Sequence, residues 1–139
     1  MSQDTPSPTP PGRRFTRLPR AGADATEAEI TRVKFRDSLD AIETLLGHAV
    51  MGGREAFSRD SPAYASGSMV VIRIAALFET GEFQTYLDGV PEAVVGAIKT
   101  TRNIASHSGY RSMNDDVFWT TLTVDLPPYL SAWRAAAGG

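Results

Sequence analysis

The sequence predicts an all-α protein, an antiparallel bundle of four to five helices that follows a disordered basic N-terminal arm. Apolar residues after residue 26 recur mostly at spacings of three and four, and no segment shows sustained period-two alternation. The 139 residues are enough for one ordinary domain and too few for two. We therefore divide the chain into an arm at residues 1–25 and a helical domain at residues 26–137.

The arm differs from the rest of the chain in both charge and composition. Its first twenty residues contain four arginines, one aspartate and five of the nine prolines, which favour extended backbone. This segment carries a charge of about +3 and the remainder about −5, which together give the formal net charge of −2. The arm is either an electrostatic contact for RNA or an acidic partner, or a tail without function.

The composition excludes several classes of chemistry and of location. The chain has no cysteine, so disulfides, zinc–thiolate sites, iron–sulfur clusters and a cysteine nucleophile are excluded. Its two histidines do not form a His-Glu-x-x-His motif, so we expect no metal and no cofactor. No apolar run is long enough for a signal peptide or a membrane span, and we expect a cytoplasmic protein without membrane contact.

The first helix is predicted to begin at Thr26, which forms a capping box with Glu29, and to end before Gly52-Gly53. One apolar stripe follows the capping box at helical spacing. The stripe contains Ile30, Val33, Phe35, Leu39, Ile42, Leu46 and Val50.

The second helix is predicted to start with Ser61 as N-cap and Pro62 at the first helical position, and to run to about Gly81. Its middle, residues 69–78, is apolar on nearly all sides, which is typical of a helix buried between neighbours. Arg73 interrupts this run. We expect it to be buried and paired, or else to emerge at a dimer cleft.

Two further helices are predicted after Pro91. The third runs from Glu92 towards His107, with Gly109 as its terminator. The fourth begins after Asn114, whose side chain can cap it, and Pro127-Pro128 must kink or restart it. Its apolar face consists of Phe118, Trp119, Leu122, Leu126, Leu130 and Trp133.

Residues suited to phosphate chemistry cluster near the end of the third helix, at Arg102, Asn103, His107 and Tyr110. An arginine offers paired donors to phosphate oxygens, and a histidine exchanges a proton near neutral pH. On an ideal helix Arg102 and His107 lie about 140° apart, so they converge only if the helix end unwinds or a second chain contributes. The alternative is a histidine that interacts with the helix terminus beside a solvated arginine.

The segment Arg102-Asn103-Ile-Ala-Ser-His107, with Tyr110 and the later Asp125-Leu126-Pro127, resembles the HEPN superfamily. The resemblance is strongest to the HepT-like ribonuclease toxins of HEPN/MNT toxin–antitoxin pairs, and it extends from about residue 30 to residue 134. It implies a metal-independent endoribonuclease that acts as a homodimer, with the motifs of both chains meeting in one cleft.

Carried over from the resemblance, Arg102 and His107 are the catalytic pair and Asn103 supports them. Tyr110 is the expected acceptor of AMP from a nucleotidyltransferase antitoxin, although it stands three residues after the histidine and the family tyrosine usually stands two after. The alternative function is a non-catalytic HEPN-like helical module that binds a nucleotidyltransferase partner or nucleic acid.

Overall fold

The structure, a computed structural model, describes the backbone of residues 20–106 and 114–138, and the side chains within 26–106 and 114–138. The chain divides into two compact units, residues 1–32 and residues 33–139. The predicted arm at residues 1–25 lies mostly outside the described residues and stays a prediction.

The protein is all-α, as predicted, and the described residues contain no β-strand. The helices of the second unit form a bundle around one apolar core. A 3-10 turn, Arg54–Ala56, lies between the first two helices, and a π-helical turn, Thr121–Asp125, joins the last two. The α-helices are α1 (Arg20–Val50), α2 (Pro62–Leu77), α3 (Gln84–Leu87), α4 (Glu92–Ser106), α5 (Asp115–Thr120) and α6 (Pro127–Ala136).

In the first unit, α1 begins at Arg20, six residues before the predicted start at Thr26. The intervening sequence Ala-Gly-Ala-Asp-Ala is rich in alanine, the strongest helix former, and extends the helix to the N-terminal side of Thr26. Glu29 forms an ion pair with Arg32 one turn later, at 2.5 Å between Oε2 and Nη2. The two residues of the predicted capping box therefore lie inside the helix.

The predicted apolar stripe of α1 is correct in its centre and wrong at its beginning. Phe35, Leu39 and Ile42 are fully buried in the second unit, whereas Ile30 is 54% exposed and Val33 is 45% exposed. On a helix Val33 lies about 200° around the axis from Phe35, and Ile30 lies about 140° from it. Val33 stands two residues before Phe35 and Ile30 stands five before it, so neither lies on the buried face of the helix.

The start of α2 is capped as predicted. Ser61 Oγ accepts a hydrogen bond from the Tyr64 amide at 3.1 Å, and Pro62 occupies the first helical position. The helix ends at Leu77, four residues before the predicted limit at Gly81. Of the two alternatives for Arg73, the favoured one, a buried and paired side chain, is wrong, because the side chain is exposed and no ion pair joins it to any described residue. Its emergence at a dimer cleft stays a prediction.

The C-terminal helices also begin as predicted. Asn114 Oδ1 accepts from the amides of Asp116 at 2.7 Å and Val117 at 3.1 Å, which caps α5. The prolines restart the helix after the π turn, in which the Leu126 amide donates to the Thr121 carbonyl at 2.9 Å. Each spacing of four on an α-helix advances about 40° around the axis, so a long series of such spacings leaves the buried face.

The π turn corrects this rotation, because its hydrogen bonds span five residues where those of an α-helix span four. All the residues of the predicted apolar face after Trp119 are therefore buried, both within the turn and after it. They are Leu122, Leu126, Leu130 and Trp133.

An aromatic cluster fills the core where the connection between α1 and α2 meets α5. Phe57 is fully buried, and its ring centroid lies 5.3 to 5.4 Å from those of Tyr64, Phe118 and Trp119. Gly67 on α2 lets the π turn approach closely, since a Cβ there would lie 2.7 Å from Leu122 Cδ1.

Arg134 joins α6 to α1 through ion pairs at the surface of the bundle. Its Nη2 donates to Asp40 Oδ1 at 2.6 Å and to Glu43 Oε1 at 2.9 Å. Hydrogen bonds to Glu43 and Asp40 raise the pKa of Arg134 above its ordinary value. The guanidinium therefore stays charged and joins two helices that are distant in sequence.

Candidate functional site

The described part of the candidate site lies on the last turn of α4. Arg102 forms an ion pair through Nη1 with Glu79 Oε2, and its Nε donates to Asn103 Oδ1 at 2.9 Å. The Arg102 side chain is 27% exposed, so it is partly covered and still open to solvent on one side. The guanidinium is thus held by two acceptors from two different parts of the chain.

The position of Glu79 follows from how α2 ends. The helix stops at Leu77, and the Phe78 and Glu79 amides donate to the Ala75 and Ala76 carbonyls, which adds one further turn. α2 and α4 pack against each other. This packing brings the end of α2 to the end of α4, where Glu79 meets a guanidinium that is 23 residues away in sequence.

The remaining donors of Arg102 determine what it can bind. A guanidinium has five N–H groups, and the contacts with Glu79 and Asn103 use Nη1 and Nε. No side chain or carbonyl within the described ranges accepts from Nη2. The Nη2 edge can therefore donate to an anion, while the Glu79 carboxylate reduces the net charge of the group and fixes its orientation.

His107 and Tyr110, the other two predicted site residues, lie outside the described residues. The described part of α4, Glu92–Ser106, reaches the residue before the histidine. The structure thus describes Arg102 and Asn103 of the predicted constellation, and the meeting of arginine and histidine stays a prediction.

The sequence analysis did not identify Glu79 as a site residue. No carboxylate lies within six residues of Arg102 in the sequence, so local spacing gives no sign of this contact. The order of helices offers a signal for this contact, because an acidic residue at the end of one helix can reach the end of a second helix that packs against it.

A second polar cluster lies at the start of α5. Arg54 donates through Nε to Asp116 Oδ1 at 2.8 Å, and through Nη1 to the Phe57 carbonyl at 2.8 Å. Burial and the nearby Asp115 carboxylate raise the pKa of Tyr64 above its ordinary value, so its phenol stays neutral. These hydrogen bonds join the first turn of α5 to the segment between α1 and α2.

In the parts of the chain that the structure describes, no three His, Asp or Glu side chains lie close enough together to hold a metal ion. The described helices also include none that is long and apolar enough to cross a membrane.

Comparison of the chain with protein-family models, with curated proteins and with solved structures finds no match.

Proposed function

We propose that this chain is the toxin of a toxin–antitoxin pair, a metal-independent endoribonuclease similar to the HepT-like members of the HEPN superfamily. The observation that carries the proposal is the guanidinium of Arg102, which Glu79 and Asn103 orient and whose Nη2 has no acceptor among the described residues. It lies five residues before His107 in a sequence motif that resembles this family. A fixed guanidinium with an open edge suits the stabilisation of charge on a phosphoryl group.

The proposed reaction is attack of an RNA 2′-hydroxyl on the adjacent phosphate. The new bond joins O2′ to phosphorus, and the bond from phosphorus to O5′ breaks, which leaves a 2′,3′-cyclic phosphate and a 5′-hydroxyl. His107 assists proton transfer, and Arg102 donates hydrogen bonds to the phosphoryl oxygens in the transition state. Asn103 supports the site through its bond to Arg102 Nε.

The proposal includes a homodimer in which the motifs of both chains share one cleft. Two copies of Arg102 then provide positive charge locally, although the chain outside its first twenty residues carries a charge of about −5. A dimer also removes the geometric difficulty that Arg102 and His107 of one ideal helix point about 140° apart.

The ribonuclease is tested with the purified full-length chain, a single-stranded RNA and EDTA. We expect cleavage to continue in EDTA and to stop when the 2′-hydroxyl at the cleavage site is replaced by hydrogen, because the nucleophile is then missing. His107→Ala is the matched variant, and it is expected to leave the RNA intact. Equal cleavage by wild type and His107→Ala, or no cleavage by either, contradicts the proposal.

The proposed antitoxin is a nucleotidyltransferase that transfers AMP to Tyr110. We expect incubation with that partner and ATP to add the mass of one AMP to the chain and to stop RNA cleavage, since the added group carries negative charge beside the site. Intact-mass analysis of wild type and Tyr110→Phe measures this. Addition of AMP to Tyr110→Phe removes Tyr110 from the role of acceptor.

A further inference from the structure

An apolar groove of about 650 Å³ lies between α2, α4, the π turn and α6. Its lining includes residues of the buried core, Val71, Ile74 and Ile98. Small side chains of α4, Ala93 and Ala97, form one wall, and the groove stays open because neither fills it. Its volume is in the range of about 300 to 1,000 Å³ that is usual for small-molecule sites.

The polar groups that line the groove indicate which class of ligand it can bind. The hydroxyls of Thr101 and Thr121 donate to carbonyls of their own helices, at 2.8 Å to Ala97 and 3.0 Å to Val117. Among the described lining residues Asp125 is the one charged residue, and its side chain is exposed. No ion pair or hydrogen bond joins its carboxylate to another side chain in the described ranges.

The backbone gives a second, independent indication that this groove binds a ligand. The opposite wall is the π turn, which supplies Thr121, Val124 and Asp125. Single π turns within helices occur frequently at functional sites. Val124 is 60% exposed, so a large apolar side chain faces solvent at the groove.

We propose that this groove binds a small amphiphilic cation, a molecule with one aromatic or branched apolar body and one amine. The body contacts Val94, Ala97 and Val124, and the ammonium group pairs with the Asp125 carboxylate. Charge favours a cation over an anion, because the lining that the structure describes has one carboxylate and no basic residue. The proposal does not depend on the ribonuclease, since none of Arg102, Asn103 and Glu79 lines the groove.

The test compares two probes that share an apolar body and differ in charge, 2-(1-naphthyl)ethylamine and the neutral 2-(1-naphthyl)ethanol. We expect calorimetric titration of the full-length chain to show the amine binding about threefold to tenfold more tightly than the alcohol. In Asp125→Asn this difference is expected to disappear. Asp37→Asn, which removes an exposed carboxylate from α1, is expected to preserve it.

A second pair of variants tests the groove itself. Ala97→Leu fills it and is expected to abolish binding of both probes. Gly96→Ala changes the neighbouring residue, where a Cβ meets nothing within 4 Å, and is expected to bind both as wild type does. Circular dichroism of each variant shows that the fold is retained.

Three results overturn the proposal. One is equal affinity of wild type for amine and alcohol, and another is unchanged binding in Ala97→Leu. The third combines two observations: neither probe binds to wild type, and sedimentation shows a wild-type dimer that Ala97→Leu converts to monomers. That result assigns the groove to a second copy of the chain.

Discussion

Replacing Arg102 by alanine is expected to lower the rate of RNA cleavage by about 100- to 1,000-fold, the usual loss when one donor to a transition-state oxyanion is removed. Stability is expected to change little, because the Arg102–Glu79 pair is partly exposed and such pairs contribute about 0 to 1 kcal/mol. The rate is measured under single-turnover conditions, with unfolding in urea as the check on stability. Arg102→Lys is expected to remain impaired, since an ammonium lacks the planar pair of donors.

Two matched variants show whether the loss is specific. Arg36→Ala removes the same charge from α1 and is expected to cleave as wild type does. Glu79→Gln keeps an acceptor near Arg102 while removing the negative charge, so it is expected to retain part of the rate and to bind RNA no more weakly. Wild-type activity in Arg102→Ala contradicts the assignment of the catalytic pair.

Replacing Phe57 by alanine is expected to lower the free energy of unfolding by about 3 to 5 kcal/mol, the usual cost of removing a fully buried phenylalanine. Its ring contacts three other aromatic rings and lies under Gly67, so the surrounding atoms have little freedom to fill the space. Urea unfolding followed by circular dichroism measures the loss. A protein of this size has about 5 to 15 kcal/mol in total, so the variant is expected to be marginal.

Met51→Ala is the control for Phe57→Ala. Met51 is also a large apolar residue close to the connection after α1, but it is 72% exposed. Its replacement is expected to change the free energy of unfolding by no more than about 0.5 kcal/mol. Similar losses in the two variants would show that the aromatic cluster does not hold the connection in place.

The start of a helix was predictable wherever the residue directly before it caps its first backbone amides. Ser61 and Asn114 accept the backbone hydrogen bonds that their positions indicate, and Pro127 restarts a helix. The start of α1 was not predictable from its capping box, because helix propensity before Thr26 competes with the cap. The burial expected as one alternative for Arg73 was wrong, because an apolar neighbourhood in sequence does not show which side of a helix faces solvent.

The candidate site was predictable only where its contacts are local. Arg102 and Asn103 are adjacent, and the hydrogen bond between their side chains joins neighbours in sequence. Glu79 depends on the packing of α2 against α4, which composition and spacing do not encode. The aromatic contacts of Phe57 are similar, since a residue in a connecting segment becomes core only through the helices that close over it.

The π turn at Thr121–Asp125 has a consequence for comparing this chain with others. It contains one residue more than an uninterrupted α-helix needs to cover the same length of core. A related chain whose last helix is uninterrupted can be aligned with this one only if a one-residue gap is placed within the turn. Without that gap, Leu126, Leu130 and Trp133 are each matched to a residue about 100° away on the helix, and the buried positions are compared with exposed ones.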